Sequence, residues 1–218
     1  GIWTNAQSDT VSNVFDPFVQ SGETFTYIVS GGNICPDKSA SVHIIVNSTS
    51  NAGEDTSIMV CNSEPVFNLY NKIGGSPDAG GSWEDENGAP IPSVFDPFVQ
   101  AGGNYYYRVT GSSPCPNDTS TLNITVDTLP DPGLSDSITV CNTSFPFDLF
   151  SVLGGTPDVG GIWTDGQGDT VSNIFDPFVQ SSETFTYVLN GTGNCPDQSS
   201  TAQVTVNITP NAGNDNSI

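Results

Sequence analysis

The sequence predicts an all-β protein built as a tandem array of small β-sandwiches. The first observation is an internal repeat with a period of 80, because Phe15-Asp16-Pro17-Phe18-Val19-Gln20 returns unaltered at 95–100 and at 175–180. The second is that short apolar runs alternate with polar residues, and no run has helical periodicity. An array made by copying one module usually supplies length, valency and spacing, so a single active site is not expected.

The period divides the chain into two complete repeats, which we place at 51–130 and 131–210. Residues 1–50 would then be the later, C-terminal part of a truncated repeat, and residues 211–218 would open the next one. In this division the chain is a window on a longer polypeptide.

The middle repeat shows why each element is expected to be a strand. Leu122, Ile124 and Val126 alternate with polar residues, as in a half-buried strand, and residues 74–81 are dense in turn-forming Gly, Ser, Pro and Asp. Six or seven short strands in about 80 residues indicate a β-sandwich of immunoglobulin-like arrangement. The predicted strands are Thr56 to Cys61, Val66 to Tyr70, Ser82 to Glu84, Ser93 to Phe95, Asn104 to Thr110 and Thr119 to Val126.

Prolines mark the joints between repeats. Pro130, Pro132 and Pro210 fall there, and their fixed φ stiffens a short linker. A strand of ten residues rises roughly 33 Å, so each repeat should add about 40 Å. The sequence therefore predicts a semi-rigid rod.

The charge balance excludes several kinds of partner. The chain has 24 acidic and three basic residues, a net charge of -21. A nucleic-acid binder needs clustered Lys and Arg to neutralise phosphates, and the same charge disfavours anionic membrane surfaces. No apolar run approaches the roughly 20 residues of a spanning helix. We therefore expect no nucleic-acid partner and no membrane insertion in this segment.

The cysteines indicate export and a disulfide framework. Within complete repeats, Cys61 would pair with Cys115 and Cys141 with Cys195, closing loops of about 54 residues, while Cys35 would have a missing upstream partner. In a rival pairing, Cys35 to Cys61 and Cys115 to Cys141, the bonds would staple neighbouring repeats and leave Cys195 single. The intra-repeat version is favoured, and both stay open. Metal ligation by cysteine is not favoured, since no CxxC occurs and the chain has one histidine.

The repeat resembles a known class of surface modules. The pattern runs from Asn-Ala-Gly and Val-Cys through Gly-Gly-x-Pro-Asp-x-Gly-Gly-x-Trp and Phe-Asp-Pro to Cys-Pro and Val-Thr-Val, and it covers the whole chain. It is similar to the PKD-like or immunoglobulin-like repeats of giant cell-surface proteins of Bacteroidetes. These include SprB-type gliding-motility adhesins and related type IX secreted proteins. The resemblance implies an extracellular, surface-attached repeat protein and does not imply a ligand.

Calcium is the one cofactor that the residues suggest. Carboxylates, which are hard oxygen ligands, collect near the joints, and a cation between two acidic domain ends would relieve self-repulsion. Ordinary solvation of acidic loops is the competing interpretation, because Asp55 aligns with Ser135 and no EF-hand or RTX loop is present. The candidate calcium ligands are Asp55, Asp127, Asp131 and Asp136.

Glycosylation is predicted at two kinds of site. Sequons for N-glycosylation occur at Asn47, Asn117, Asn123, Asn142, Asn190 and Asn207. The resemblance to Bacteroidetes surface proteins implies O-glycosylation at Asp-Ser/Thr-aliphatic triplets, which here contain Thr10, Thr128, Ser137 and Thr170.

Two aromatic motifs have competing structural and functional interpretations. Trp3, Trp83 and Trp163 are expected in the core, packed near the disulfide, with a sugar-stacking platform as the alternative. Phe-Asp-Pro-Phe is expected to be a bend whose two Phe rings reach the core, with a docking wedge between repeats as the alternative.

No catalytic role is predicted. The one histidine, His43, aligns with Asn123 and Gln203, which cannot perform its chemistry. The sequence therefore predicts a non-enzymatic extracellular structural or adhesive protein that forms a semi-rigid surface stalk or fibre. A self-assembling filament or sheath subunit is the first alternative and a carbohydrate-binding repeat array the second. The expected partners are other copies of the chain, neighbouring repeats and surface glycans.

Overall fold

The computed structural model describes residues 1–213 as short strands joined by turns. Residues 1–50 contain β1 (Ile2–Thr4), β2 (Thr10–Val11), β3 (Thr24–Val29) and β4 (Lys38–His43). The middle repeat contains β5 (Thr56–Cys61), β6 (Phe67–Asn68), β7 (Ser82–Glu84), β8 (Pro90–Ile91), β9 (Val94–Phe95), β10 (Gly103–Val109) and β11 (Asp118–Asp127). The third contains β12 (Asp136–Cys141), β13 (Phe147–Asp148), β14 (Ile162–Thr164), β15 (Thr170–Val171), β16 (Ile174–Phe175), β17 (Glu183–Leu189) and β18 (Gln198–Asn207).

The same sheet topology recurs in each complete repeat. The sheet orders are β5-β11-β10-β7-β8 and β12-β18-β17-β14-β15, and residues 1–50 form β2-β1-β3-β4. The first strand of each complete repeat runs parallel to the last, so Cys61 lies opposite Asp127 and Cys141 opposite Asn207. The strands β6 and β9, like β13 and β16, form separate two-stranded antiparallel ribbons.

The predicted strand over Val66 to Tyr70 is shorter than the alternation suggested. Only Phe67–Asn68 is extended, and a 3-10 turn follows at Leu69–Lys72. The side chain of Asn68 causes the change, because its Oδ1 accepts a hydrogen bond from the backbone N–H of Tyr70 at 2.9 Å. Asp148 does the same for Phe150 in the third repeat, where the 3-10 turn is Leu149–Ser151.

The core of the third repeat lies between its ribbon and its five-stranded sheet. Leu149 and Phe175 from the ribbon side pack with Trp163, Phe185 and Val204 of the sheet in one buried cluster. This two-layer packing is the predicted β-sandwich.

A buried tyrosine fixes the turn before the tryptophan strand of the third repeat. The hydroxyl of Tyr187 accepts a hydrogen bond from Gly161 N at 2.9 Å and donates one to the carbonyl oxygen of Asp158 at 2.8 Å. A Cβ at Gly161 would clash with the carbonyl oxygen of Val188, so this position has room only for glycine.

Contacts divide the chain into two compact units. One comprises 1–53, 75–82 and 107–120, and the other comprises 54–74, 83–106 and 121–218. The repeat boundaries at 51, 131 and 211 therefore stay a prediction from the period. Residues 214–218, most of the predicted opening of a further repeat, lie outside the described residues. Within residues 1–213, no helix has the length and apolar character needed to cross a membrane.

Candidate functional site

The candidate site is a disulfide that links two consecutive repeats. Cys61 ends β5 in the middle repeat, and Cys195 lies in the Cys-Pro loop before β18 in the third repeat. Both belong to the second compact unit. Their sulfur atoms are bonded, with the Cα atoms 4.8 Å apart and a sequence separation of 134. We call these two cysteines, together with Glu64, Asp127 and Asn194, the junction.

Hydrogen bonds seat the Cys-Pro loop at the junction. The backbone N–H of Asn194 donates to Oδ2 of Asp127 at 3.1 Å, and its side-chain amide donates to Oε1 of Glu64 at 2.9 Å. The sulfur of Cys195 lies 3.5 Å from the carbonyl oxygen of Asp127. Both carboxylates therefore hold the loop as hydrogen-bond acceptors.

Glycine at position 193 allows the loop to come this close. Its φ is +58°, and a Cβ there would approach Oδ2 of Asp127 and leave no room for the carboxylate. Both the backbone conformation and the contact thus favour glycine.

A second loop is seated in the same way one period earlier. The thiol of Cys115 donates to the carbonyl oxygen of Asn47 at 3.4 Å, as Cys195 approaches Asp127. The side-chain amide of Asn47 also donates to the carbonyl oxygen of Ser113 at 2.8 Å. Cys115 is nonetheless a free cysteine.

At the end of the third repeat, the equivalents of Cys61 and Asp127 are Cys141 and Asn207. Asn142 N donates to the carbonyl oxygen of Asn207 at 2.9 Å, as Asn62 N donates to that of Asp127 at 2.8 Å. Cys141, the equivalent of Cys61, is free. Hydrogen bonds from Thr143 and then Thr209 lower the pKa of the Cys141 thiol to about 7.

The two disulfide pairings expected from the sequence, the intra-repeat one and its rival, are both wrong, because Cys61 is bonded to Cys195. Cys141 lies opposite Asn207 at the end of β18, whereas Cys195 precedes the start of that strand. A strand of ten residues, which rises roughly 33 Å, separates the two, far beyond the distance of about 7 Å that a disulfide can bridge. The intra-repeat pairs Cys61 with Cys115 and Cys141 with Cys195 are therefore not formed.

The rival pairs, Cys35 with Cys61 and Cys115 with Cys141, are not formed either. The observed bond does join consecutive repeats, as that alternative supposed, but it connects Cys61 to the loop of the following repeat. In the chain-entropy model, closing a loop of this length stabilises the folded state by about 5 kcal/mol.

The four candidate calcium ligands hold backbone groups at separate places. Oδ1 of Asp55 accepts from Thr121 N at 2.7 Å, Oδ1 of Asp131 from Gly133 N, and Oδ1 of Asp136 from Ser137 N, while Asp127 belongs to the junction. No group of three His, Cys, Asp or Glu side chains with metal-binding geometry occurs in residues 1–213. Calcium binding stays a prediction, which thermal unfolding across a calcium titration would test.

The tryptophans are core residues in the two complete repeats. Trp163 is only 5% exposed and packs on Tyr187 with ring centroids 5.1 Å apart, and Trp83 is equally buried. Trp3 is half-buried. The buried cluster around Trp163 contains no cysteine, so the expected disulfide beside it is absent from that cluster.

The Phe-Asp-Pro-Phe motif divides between the core and the surface. Phe175 is fully buried, whereas Phe178 is 77% exposed, contrary to the expectation that both rings reach the core. Oδ1 of Asp176 accepts from Phe178 N at 2.9 Å, and Oε1 of Gln180 accepts from Asp176 N at 2.7 Å. These bonds fix a tight turn that presents Phe178 and Val179 outward.

The glycosylation candidates differ in accessibility. The exposed candidates are Asn117, Asn190, Asn207, Thr10, Thr128, Ser137 and Thr170. The side chains of Asn47, Asn117, Asn123 and Asn142 are engaged in hydrogen bonds to the protein. Modification at all ten positions stays a prediction.

The sequence analysis missed Glu64 as an acceptor at the junction and gave Asp127 a different role, that of a candidate calcium ligand. Glu64 and Asp127 are polar residues near strand ends in an acidic chain, so nothing in their type distinguishes them. Gly193 could have been noticed, because its equivalents are Asn33 and Ser113.

Comparisons with solved structures identify the fold. The I-band fragment of titin domains I67–I69 and its E-to-A variant each have a TM-score of 0.52 and 12% identity, over 94% of this chain and 87% of that chain. The insect immune protein hemolin has a TM-score of 0.48 and 12% identity, over 94% of this chain and 67% of that chain. No protein-family model matches the chain, and no curated protein sequence does. The chain has the fold of tandem immunoglobulin-like β-sandwich repeats.

Proposed function

We propose that this chain is a non-enzymatic extracellular structural protein whose immunoglobulin-like repeats form a surface stalk or fibre that carries tension. The Cys61–Cys195 bond carries the proposal, because it joins two consecutive repeats covalently. Tension along the chain would pass through this bond and bypass the segment between the two cysteines. The hydrogen bonds of that segment would then not limit the strength of the array.

Chemistry and charge support an extracellular site of action. Stable disulfides form in oxidising compartments, which include the cell surface. A net charge of -21 keeps neighbouring repeats from collapsing onto one another and keeps the protein soluble. The resemblance of the sequence to Bacteroidetes surface repeats gives the finer proposal, a stalk of an SprB-type adhesin.

The exposed Phe-Val turns support an adhesive role. The exposed residues Phe18, Phe98 and Phe178 occupy the equivalent turn in three successive copies of the motif, one period apart. Each ring offers a flat apolar face that can pack on a neighbouring repeat, on another copy or on the apolar face of a sugar. We expect that a variant with serine at all three positions loses adhesion.

Single-molecule extension tests the tension-bearing role. The whole chain is held at its two ends and stretched under oxidising and then reducing conditions. Reduction should release 134 residues, which at about 3.6 Å each add about 480 Å of extension. Oxidised Cys195→Ser protein should already show the longer extension, and Cys115→Ser, which alters a free cysteine, should match the wild type. Equal extension before and after reduction would contradict the proposal.

A further inference from the structure

A groove lies where the middle repeat, the linker and the third repeat meet. Phe98, Asn62 and Ser63 line it from the middle repeat, residues 129–132 line it from the linker, and Gln198 lines it from the third repeat. All of them belong to the second compact unit. The groove has a volume of about 330 Å³, and the Phe98 ring on its border is 79% exposed. Two consecutive repeats thus share one open, partly apolar groove.

The linker is anchored on both sides of Pro130. On one side, Leu129 N donates to Oδ1 of Asn62 in the middle repeat at 2.9 Å. On the other, Asp131 N donates to Oδ2 of Asp158 in the third repeat at 2.9 Å, and Asp158 N donates to the carbonyl oxygen of Asp131 at 2.7 Å. Pro130 is the residue between these anchors, so the joint bends about it. The proline ring fixes its φ, which leaves the pivot few soft dihedral angles.

The turn that carries Phe98 holds the ring at the groove. Oδ1 of Asp96 accepts from Phe98 N at 3.0 Å, and Oε1 of Gln100 accepts from Asp96 N at 2.7 Å. A bend that narrows the groove brings this ring against Pro130 and Pro132. Closure removes apolar surface from water, which is favourable, and further bending in the same direction is blocked because proline rings are rigid.

We propose that Phe98 is a positioning residue that limits bending of the joint between the middle and third repeats by closing on the linker prolines. This gives one copy of the Phe-Asp-Pro-Phe motif the role of a wedge between repeats. The inference concerns bending, and it does not depend on the proposed tension-bearing role.

The preceding joint lacks the apolar linker residues of this groove. The equivalents of Leu129, Pro130 and Pro132 there are Thr49, Ser50 and Ala52. The hydroxyl of Ser50 donates to the carbonyl oxygen of Pro116 at 2.8 Å, so this position serves a polar contact. The wedge is therefore assigned to the joint at Pro130 and not to every joint of the array.

Pulsed electron paramagnetic resonance between two spin labels tests the wedge on the whole, oxidised chain. The free cysteines are first replaced, as Cys35→Ser, Cys115→Ser and Cys141→Ser, which leaves the disulfide in place. Labels are attached at Asn87→Cys and Gln167→Cys, two exposed positions one period apart. Phe98→Ser should broaden the distribution of distances between the labels. Phe98→Leu, which keeps an apolar side chain, should broaden it less.

Phe178→Ser is the matched control, because Phe178 is an equally exposed ring on the equivalent turn of the third repeat. It should leave the distribution unchanged. Equal broadening by Phe178→Ser, or no broadening by Phe98→Ser, would overturn the proposal.

A linker variant separates the wedge from a general loosening of the joint. Leu129→Thr, Pro130→Ser and Pro132→Ala together give this linker the residues of the preceding joint. Adding Phe98→Ser to that variant should cause no further broadening, because the ring has lost the surface on which it closes. A full additional effect would overturn the proposal. None of these results alters the extension released by reduction, so the two proposals can fail independently.

Discussion

At the residue scale, the position of a phenylalanine within the Phe-Asp-Pro-Phe turn decides whether its ring is buried or exposed. Phe175 and Phe178 belong to the same short motif, yet one is fully buried and the other is 77% exposed. The Asp176 carboxylate caps the turn between them by accepting a hydrogen bond from Phe178 N. Only the first ring can therefore pack on Phe185, at a centroid distance of 5.6 Å.

The two phenylalanines should respond oppositely to truncation. Phe175→Ala removes a ring from the core and should lower the free energy of unfolding by about 3–5 kcal/mol. Phe178→Ala removes a solvated ring and should change it by no more than about 0.5 kcal/mol. Urea unfolding of the two variants gives both values. Similar losses for both would mean that the outward ring is packed after all.

The Cys141 thiol should react as a thiolate near neutral pH. Hydrogen bonds from Thr143 and Thr209 lower its pKa to about 7, so its alkylation rate should rise with pH and reach half its maximum near pH 7. The measurement uses protein with Cys35→Ser and Cys115→Ser, in which Cys141 is the remaining free thiol.

Thr143→Val provides the matched comparison for that titration. The threonine hydroxyl is the largest cause of the lowered pKa, so its loss should move the half-point to higher pH. A half-point that stays in place would show that Thr143 does not stabilise the thiolate.

At the element scale, much of the fold could be predicted and the ends of the strands could not. Alternation of Leu122, Ile124 and Val126 predicted β11 to within a residue or two, and the run from Thr56 to Cys61 matches β5. A pattern of this kind states that a segment is extended but not which strand lies beside it. The parallel pairing of β12 with β18 places Cys141 beside the end of β18, whereas Cys195 precedes the start of that strand. The spacing of the cysteines in the sequence therefore predicted the wrong disulfide partners.

The candidate site was predictable only in part, for the same reason. The cysteines and the acidic strand ends were recognisable as residue types. Cys61 and Cys195 come together because the Cys-Pro loop contacts the preceding repeat. Asn194 holds this loop in place, since its backbone N–H donates to Asp127 and its side-chain amide donates to Glu64. No residue pattern within one period encodes that contact.

The loop before β18 should tolerate no side chain at Gly193. Gly193→Ala would place a Cβ against the Asp127 carboxylate, weaken its bond to Asn194 N, and so expose the Cys61–Cys195 bond to reductant. Gly168→Ala is the matched control, because Gly168 also has positive φ but its Cβ would meet open space. Reduction by a phosphine, followed by mass spectrometry, should be faster in the first variant than in the second. Equal rates would show that the close approach does not protect the bond.

At the scale of the whole molecule, the disulfide is longer in sequence than the repeat. The bond has a sequence separation of 134 and the period is 80, so equivalent bonds in successive repeats would overlap by more than half a repeat. Every repeat of such an array would be crossed by a covalent link. Length and strength would then come from the same copied unit.

Loss of the bond should destabilise the chain, whereas loss of a free cysteine should not. Cys61→Ser should lower the free energy of unfolding of the joined repeats by up to about 5 kcal/mol, because the unfolded chain regains its freedom. Cys115→Ser is the control, and it should leave thermal unfolding close to that of the wild type. Equal stability of the two variants would mean that the bond contributes little.

Disulfide mapping of the non-reduced protein tests the link between repeats most directly. With three basic residues in the chain, trypsin leaves Cys115, Cys141 and Cys195 on one peptide, so cleavage before aspartate is needed to separate them. The structure predicts one linked pair of peptides, which contain Cys61 and Cys195. Linked peptides that join Cys61 to Cys115 and Cys141 to Cys195 would contradict it and would place each disulfide inside a single repeat.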